Sequence, residues 1–126
     1  MRVEYFYSHF YFNQLYMKKI EFNVQEPYLS FIKSGQKTVE GRLNKGKFGY
    51  LEIGDILTLS DSSNLEFEVT GKRAYTTFQE MIISEGIERV IPDKESIKDA
   101  VDVYYRFYTP EQEQEFGVLA VEIKKK

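Results

Sequence analysis

Gly35-Gln36-Lys37-Thr38-Val39-Glu40-Gly41-Arg42 is the stretch on which the reading of this chain turns. Gly35 is a natural stop for a helix, and the alternation that follows predicts a strand over 37–43. Strand parity puts Thr38, Glu40 and Arg42 on one face, with Lys37 at the strand's mouth beside the end of the preceding helix. A carboxylate and a guanidinium two positions apart either pair with each other or jointly read a ligand. Glu accepts a hydrogen bond from an exocyclic amine, while Arg grips a phosphate or a carbonyl edge in a fork. A partly desolvated Lys37 loses its proton more readily and then serves as a base. The plain alternative is an exposed salt bridge, worth about 0–1 kcal/mol and without function.

Working outward, the elements punctuate themselves. Ile20, Phe22 and Val24 alternate with polar residues, which predicts a half-buried strand. Pro27 suits the first turn of a short helix, whose apolar stripe is Tyr28, Phe31 and Ile32. Asn44 to Gly54 is glycine-rich and predicts a loop. Strands are expected at Ile56 to Leu59 and Leu65 to Thr70, joined by a polar turn. Thr77-Phe78-Gln79-Glu80 fits a capping box, so a helix is expected from there to Ser84. Another is expected from near Asp93, with Ile97, Ala100, Val101, Tyr104, Tyr105 and Tyr108 forming one helical face. Thr109-Pro110-Glu111-Gln112 is a further helix start, Gly117 its end, and Val118 to Ile123 a closing strand.

With 126 residues, 42% hydrophobic and 29% charged, the chain has the composition of one folded domain. It has no Cys and one His, which excludes disulfides, thiolate nucleophiles and Cys-based metal sites, and argues against a His-rich metal site or a Ser–His triad. No cluster calls for a metal or an organic cofactor. No apolar run approaches the roughly 20 residues of a spanning helix, so no membrane partner and a cytoplasmic location are expected. A net charge of −3 argues against indiscriminate coating of nucleic acid.

Two regions stand apart. Seven of residues 1–16 are aromatic (Tyr5, Phe6, Tyr7, Phe10, Tyr11, Phe12, Tyr16). They are expected to form an extension outside a domain spanning 17–126, either an ordered arm without function or, since rings so dense invite packing against a neighbouring surface or a second copy, the contact of a homo-oligomer. Between Lys33 and Lys47, five bases face only Glu40, whereas Glu80 to Glu122 holds eleven acids against four bases. A basic edge beside an acidic half suits local phosphate contacts, or else simply keeps a loop solvated.

The quoted stretch resembles the G-x-K-x-x-E-x-R hallmark of the ASCH family, a branch of the PUA-like superfamily, through Gly35, Lys37, Glu40 and Arg42. It lies between a short helix and a Gly54-Asp55 loop, and Tyr104-Tyr105-Arg106-Phe107-Tyr108 with Gly117 to Ile123 resembles the family's closing helix and strand. The resemblance covers residues 18–123. It implies an α+β fold, a PUA-like small β-barrel with flanking helices beside a cleft lined by the motif, and RNA or nucleotide binding. Some small members hydrolyse the amide of N4-acetylcytidine with the motif Lys, a Thr two positions before the motif Arg, and a downstream Glu. Here Lys37 matches, Glu40 stands at the Thr position, and the downstream carboxylate would be Glu85 or Glu88.

The expected function is therefore binding of RNA, a nucleotide or a nucleoside through Lys37, Glu40 and Arg42. Lys45 and Lys47 would add charge, Asn23 and Gln25 hydrogen bonds, and Tyr50 and Tyr105 stacking surfaces. The alternative is an amidohydrolase of modified nucleosides, with Lys37 and Glu40 catalytic. An Arg42 beside Glu40 opposes that role, because it favours the ionised carboxylate over one poised to take a proton. A protein-interaction module built on the aromatic arm or the acidic face is the third reading.

Overall fold

A computed structural model describes residues 17–126; the expectations for residues 1–16, the oligomer contact included, lie outside the described residues. Among the described residues five strands and six helices follow one another as β1 (Lys19–Phe22), α1 (Tyr28–Ser34), β2 (Val39–Leu43), α2 (Gly46–Gly49), β3 (Ile56–Leu59), β4 (Glu66–Tyr75), α3 (Phe78–Glu85), α4 (Ile87–Val90), α5 (Ile97–Tyr104), α6 (Pro110–Phe116) and β5 (Val118–Lys125). The expected mixed α+β architecture is present. Among the described residues no helix is long and apolar enough to cross a membrane.

The strands form one sheet in the order β1-β3-β4-β5-β2. β1 runs parallel to β3 and the other pairs are antiparallel. β5 buries four successive residues, Val118 to Val121, the pattern of a strand covered on both faces. Closure into a barrel is not seen in the described residues, where β1 and β2 remain the two edges. Side chains bridge that seam instead. The Arg42 guanidinium donates to the Asn23 carbonyl and the Lys47 ammonium to the Glu21 carbonyl.

Local chemistry sets the boundaries. Gly35 takes the left-handed conformation at φ 85° that ends α1. Glu26 serves the start of that helix, its carboxylate accepting from the Ser30 amide at 2.9 Å. Thr77 and Thr109 cap α3 and α6, and only α6 has the reciprocal box through Gln112. The Glu80 carboxylate turns back to the Thr76 amide.

Three expectations change. The helix expected to run from Asp93 through Tyr108 starts at its Ser96 cap and stops at Tyr104, since the Arg106, Phe107 and Tyr108 amides fold back onto Val103 and Tyr104 carbonyls as a tight turn. The loop 44–54 contains the short α2. β4 extends to Tyr75 because its ladder with β5 resumes beyond a bulge at Val69/Gly71.

Gly41 fixes how closely β2 meets the helices. A Cβ there would lie 2.7 Å from the Tyr104 hydroxyl, 2.9 Å from that ring and 2.7 Å from the Met81 terminal methyl. Met81 can swing aside, whereas the Tyr104 ring is stacked on Phe78 at 4.5 Å. Gly41→Ala is therefore expected to destabilise the domain by about 1–3 kcal/mol. Thermal denaturation checks this; an unchanged midpoint would show that Tyr104 yields freely.

Candidate functional site

The seam between β2 and the chain that follows β1 opens into a cavity of about 230 Å³. Glu40, Gly41 and Arg42 of β2 form one wall and Asn23, Val24 and Gln25 another. Most of the rest is aromatic, Tyr28 from α1, Tyr104 from α5, and Phe107 and Tyr108 from the turn after it, with Lys37, Ile91 and Val103 completing the lining. The stop of α5 at Tyr104 turns Phe107 and Tyr108 toward the cavity. Phe78 backs this wall, stacked on Tyr104 at 4.5 Å and on Tyr108 at 5.5 Å.

The polar centre is a buried triad of charges. Lys37 is only 2% exposed, and its ammonium donates to the Val39 carbonyl at 2.7 Å and the Val90 carbonyl at 2.6 Å, with Glu40 Oε1 at 3.3 Å. Three acceptors match three N–H groups, so the geometry is that of the protonated amine. Burial pushes the Lys37 pKa down and the Glu40 charge opposes that shift. Lys37 thus differs from the expected half-desolvated amine at the strand's mouth. It pins the free edge of β2 to the end of α4.

Glu40 holds the middle. Arg42 donates to its Oε2 through Nε at 3.1 Å and Nη2 at 2.8 Å. Burial alone would raise the Glu40 pKa, but Arg42 and then Lys37 outweigh it and hold the carboxyl below its ordinary value. Arg42 is in turn kept charged: burial disfavours its cation, and Glu40 overcomes that penalty. Its guanidinium lies 4.5 Å from the centre of the Phe48 ring, a cation–π contact that steadies it. One anion between two cations leaves the triad with a surplus of positive charge.

Beneath this wall, the Tyr104 hydroxyl is buried without a hydrogen-bond partner among the described residues. Thr38 is not in the cavity wall; its amide donates to the Arg89 carbonyl at 3.0 Å and its hydroxyl accepts from Arg89 Nε at 3.4 Å.

Of the residues singled out from sequence, Asn23, Gln25, Lys37, Glu40 and Arg42 come together around the cavity. Lys45, Lys47, Tyr50 and Tyr105 are not in its wall. Lys45 lies over the Phe116 ring at 4.7 Å, Lys47 serves the β1 edge, and Tyr50 is exposed in its loop. Tyr105 donates to Glu113 at 2.8 Å on the side facing α6. Tyr28 and Tyr104 are buried in the core with Tyr108 packed against it, and all three also line the cavity; Phe107, which joins them there, was not singled out. The basic edge is also largely consumed, since Lys33 pairs with Asp61 at 2.6 Å while Lys37 and Arg42 turn inward. Glu85 is forked by Arg73 at 2.7 and 2.6 Å and accepts from Tyr75, and neither it nor Glu88 lines the cavity. No group of three or more metal-ligating side chains gathers among the described residues.

Comparison with known proteins agrees with this architecture. The family model described as "ASCH domain" matches residues 22–126. The crystal structure of hypothetical protein PH0355 superposes with a TM-score of 0.81 at 42% identity, over 86% of this chain and 99% of that one. The solution NMR structure of protein PF0455 from Pyrococcus furiosus gives a TM-score of 0.73 at 37% identity, over 85% of this chain and 96% of that one. No curated protein matches the chain.

Two stability measurements test the charge geometry. Glu40→Gln strands the Lys37 ammonium and is expected to cost about 3–5 kcal/mol at neutral pH. Because the folded Glu40 pKa is depressed, its contribution is full above the unfolded carboxylate value and lost as pH falls through the lower folded value. Denaturant titrations of wild type and variant should therefore converge in acid; a constant gap would contradict the ion-pair account. Tyr104→Phe removes a hydroxyl that has no partner, so stability should hold or rise. A clear loss would reveal an internal partner for that group.

Proposed function

The chain belongs to the ASCH domain family, and from that premise we propose that its cleft binds RNA or a nucleotide by admitting one nucleobase beside Glu40. ASCH is a PUA-like family, and RNA binding is consistent with it at a coarse level. The observation that carries the finer reading is an ionised, buried carboxylate inside a small cavity with aromatic walls. At about 230 Å³, the space falls below the ~300–1,000 Å³ of sites for drug-sized molecules and suits a single heterocycle. Flat rings favour a planar occupant through stacking.

The polar groups favour a base edge. Glu40, held ionised by Lys37 and Arg42, only accepts hydrogen bonds and so selects an N–H donor on the occupant. Arg42 commits Nε and Nη2 to protein oxygens, and among the described residues its Nη1 has no such partner. It supplies donors for an acceptor on the same edge. The surplus positive charge disfavours a cationic occupant and tolerates a phosphate at the mouth.

Recognition is better supported than hydrolysis. A general base needs a carboxyl that takes up a proton near the working pH, whereas Glu40 is held below its ordinary value. The Lys37 protons are already engaged by three oxygens, and Glu85 is occupied by Arg73 and Tyr75 outside the cavity.

Calorimetric titration with nucleosides, nucleotides and short single-stranded RNAs tests the reading. Saturable binding of at least one base is expected, weakened about tenfold or more by Glu40→Gln, the scale of a charge-assisted hydrogen bond. Acetylated cytidine should bind without turnover. No saturable binding, or full affinity in Glu40→Gln, would overturn the proposal.

A further inference from the structure

We propose that the cleft takes its base from within a single-stranded nucleic acid, the Phe107 ring stacking the neighbouring base outside the cavity and Arg106 meeting the phosphate between them. This rests on the base-binding reading of the cavity and names the class of ligand that the site selects.

Phe107 borders the cavity and yet is 51% exposed. An exposed ring is ordinary on a protein surface; a ring continuous with the wall of a base-sized cavity is a platform at its mouth. Its backbone is also fixed in place. The Phe107 amide donates to the Tyr104 carbonyl at 3.0 Å, and those of Arg106 and Tyr108 to the Val103 and Tyr104 carbonyls at 3.2 and 3.0 Å. A backbone so held carries the ring at a fixed place on the rim, and every base offers it a flat face.

Arg106 supplies the charge. Its side chain is exposed and makes no salt bridge among the described residues. It immediately precedes Phe107 in the turn that borders the cavity, so its charge is carried at the same rim. The Tyr28 hydroxyl of the cavity wall is pushed up to about 12, by burial first and by the Asp93 carboxylate next, and the Lys94 ammonium 3.3 Å from that carboxylate offsets its repulsion of a phosphate. A strand whose base enters the cavity carries its adjoining phosphate and next base past these two residues. A free nucleoside has neither that phosphate nor a second base to offer them.

The experiment compares a nucleoside with a short single-stranded oligoribonucleotide of the same base, on wild type, Phe107→Ala, Phe107→Tyr and Arg106→Ala, across a series of KCl concentrations. Wild type should bind the oligonucleotide more tightly. Phe107→Ala should lose about tenfold more affinity for the oligonucleotide than for the nucleoside, and Phe107→Tyr should restore it. Arg106→Ala should flatten the salt dependence of oligonucleotide binding by about 0.7 in log–log slope, the share of one phosphate on a single strand. Equal affinities for the two ligands, or equal losses on both in Phe107→Ala, would overturn this inference and leave the base-binding reading standing. Failure of wild type to bind either ligand would overturn both.

Discussion

The ammonium of Lys37, buried between the β2 edge and the end of α4, is the constraint from which the rest of the site follows. A charge so deep is costly unless its hydrogen bonds are complete. Val39, Val90 and Glu40 complete them. Meeting that requirement fixes an ionised carboxylate in the cavity wall, and Arg42 then holds the carboxylate from the other side. The same triad thus closes an exposed strand edge, joins a helix to it and presents an acceptor to the cavity. Apolar side chains of similar volume could close the edge, but they would offer no such acceptor.

The fold is arranged to keep that triad in register. Gly35 turns the chain out of α1 so that Lys37 precedes β2, and the Thr38 amide is tied to the Arg89 carbonyl beside α4. Gly41 lets Tyr104 lie directly on the strand, so that an aromatic wall approaches the Glu40 carboxylate. Arg42 reaches across the open seam to the Asn23 carbonyl and makes the two sheet edges a single mouth. Mixed sheet, open seam and aromatic turn together shape a cavity that fits one flat, polar ring.

Much of this was legible in the sequence where the physics is local. The alternation from Thr38 to Arg42, the glycine stop at Gly35 and the Thr caps each act within a few residues, and the observed elements follow them. What escaped depends on distant partners. Lys37 looks like a surface lysine until Val90, 53 residues away, supplies an acceptor. The basic edge dissolves because Asp61 neutralises Lys33 and the interior absorbs Lys37 and Arg42. Helical periodicity put Tyr105 on one face with Tyr104 and Tyr108, and Tyr105 was the ring of that helix expected to stack on a base. The early end of α5 turns Tyr105 toward Glu113 and brings Phe107 to the cavity instead, an outcome set by three backbone hydrogen bonds that spacing does not reveal.

The most direct test is to follow the side-chain carboxyl carbon of Glu40 by NMR through an acid titration, with and without a saturating nucleotide. The account predicts that the free protein titrates Glu40 below the ordinary carboxylate value, and that the nucleotide shifts this resonance while leaving it ionised at neutral pH. A Glu40 that titrates above the ordinary value, or whose signal ignores a bound nucleotide, would contradict the claim that a charge-clamped carboxylate reads the occupant of this cleft.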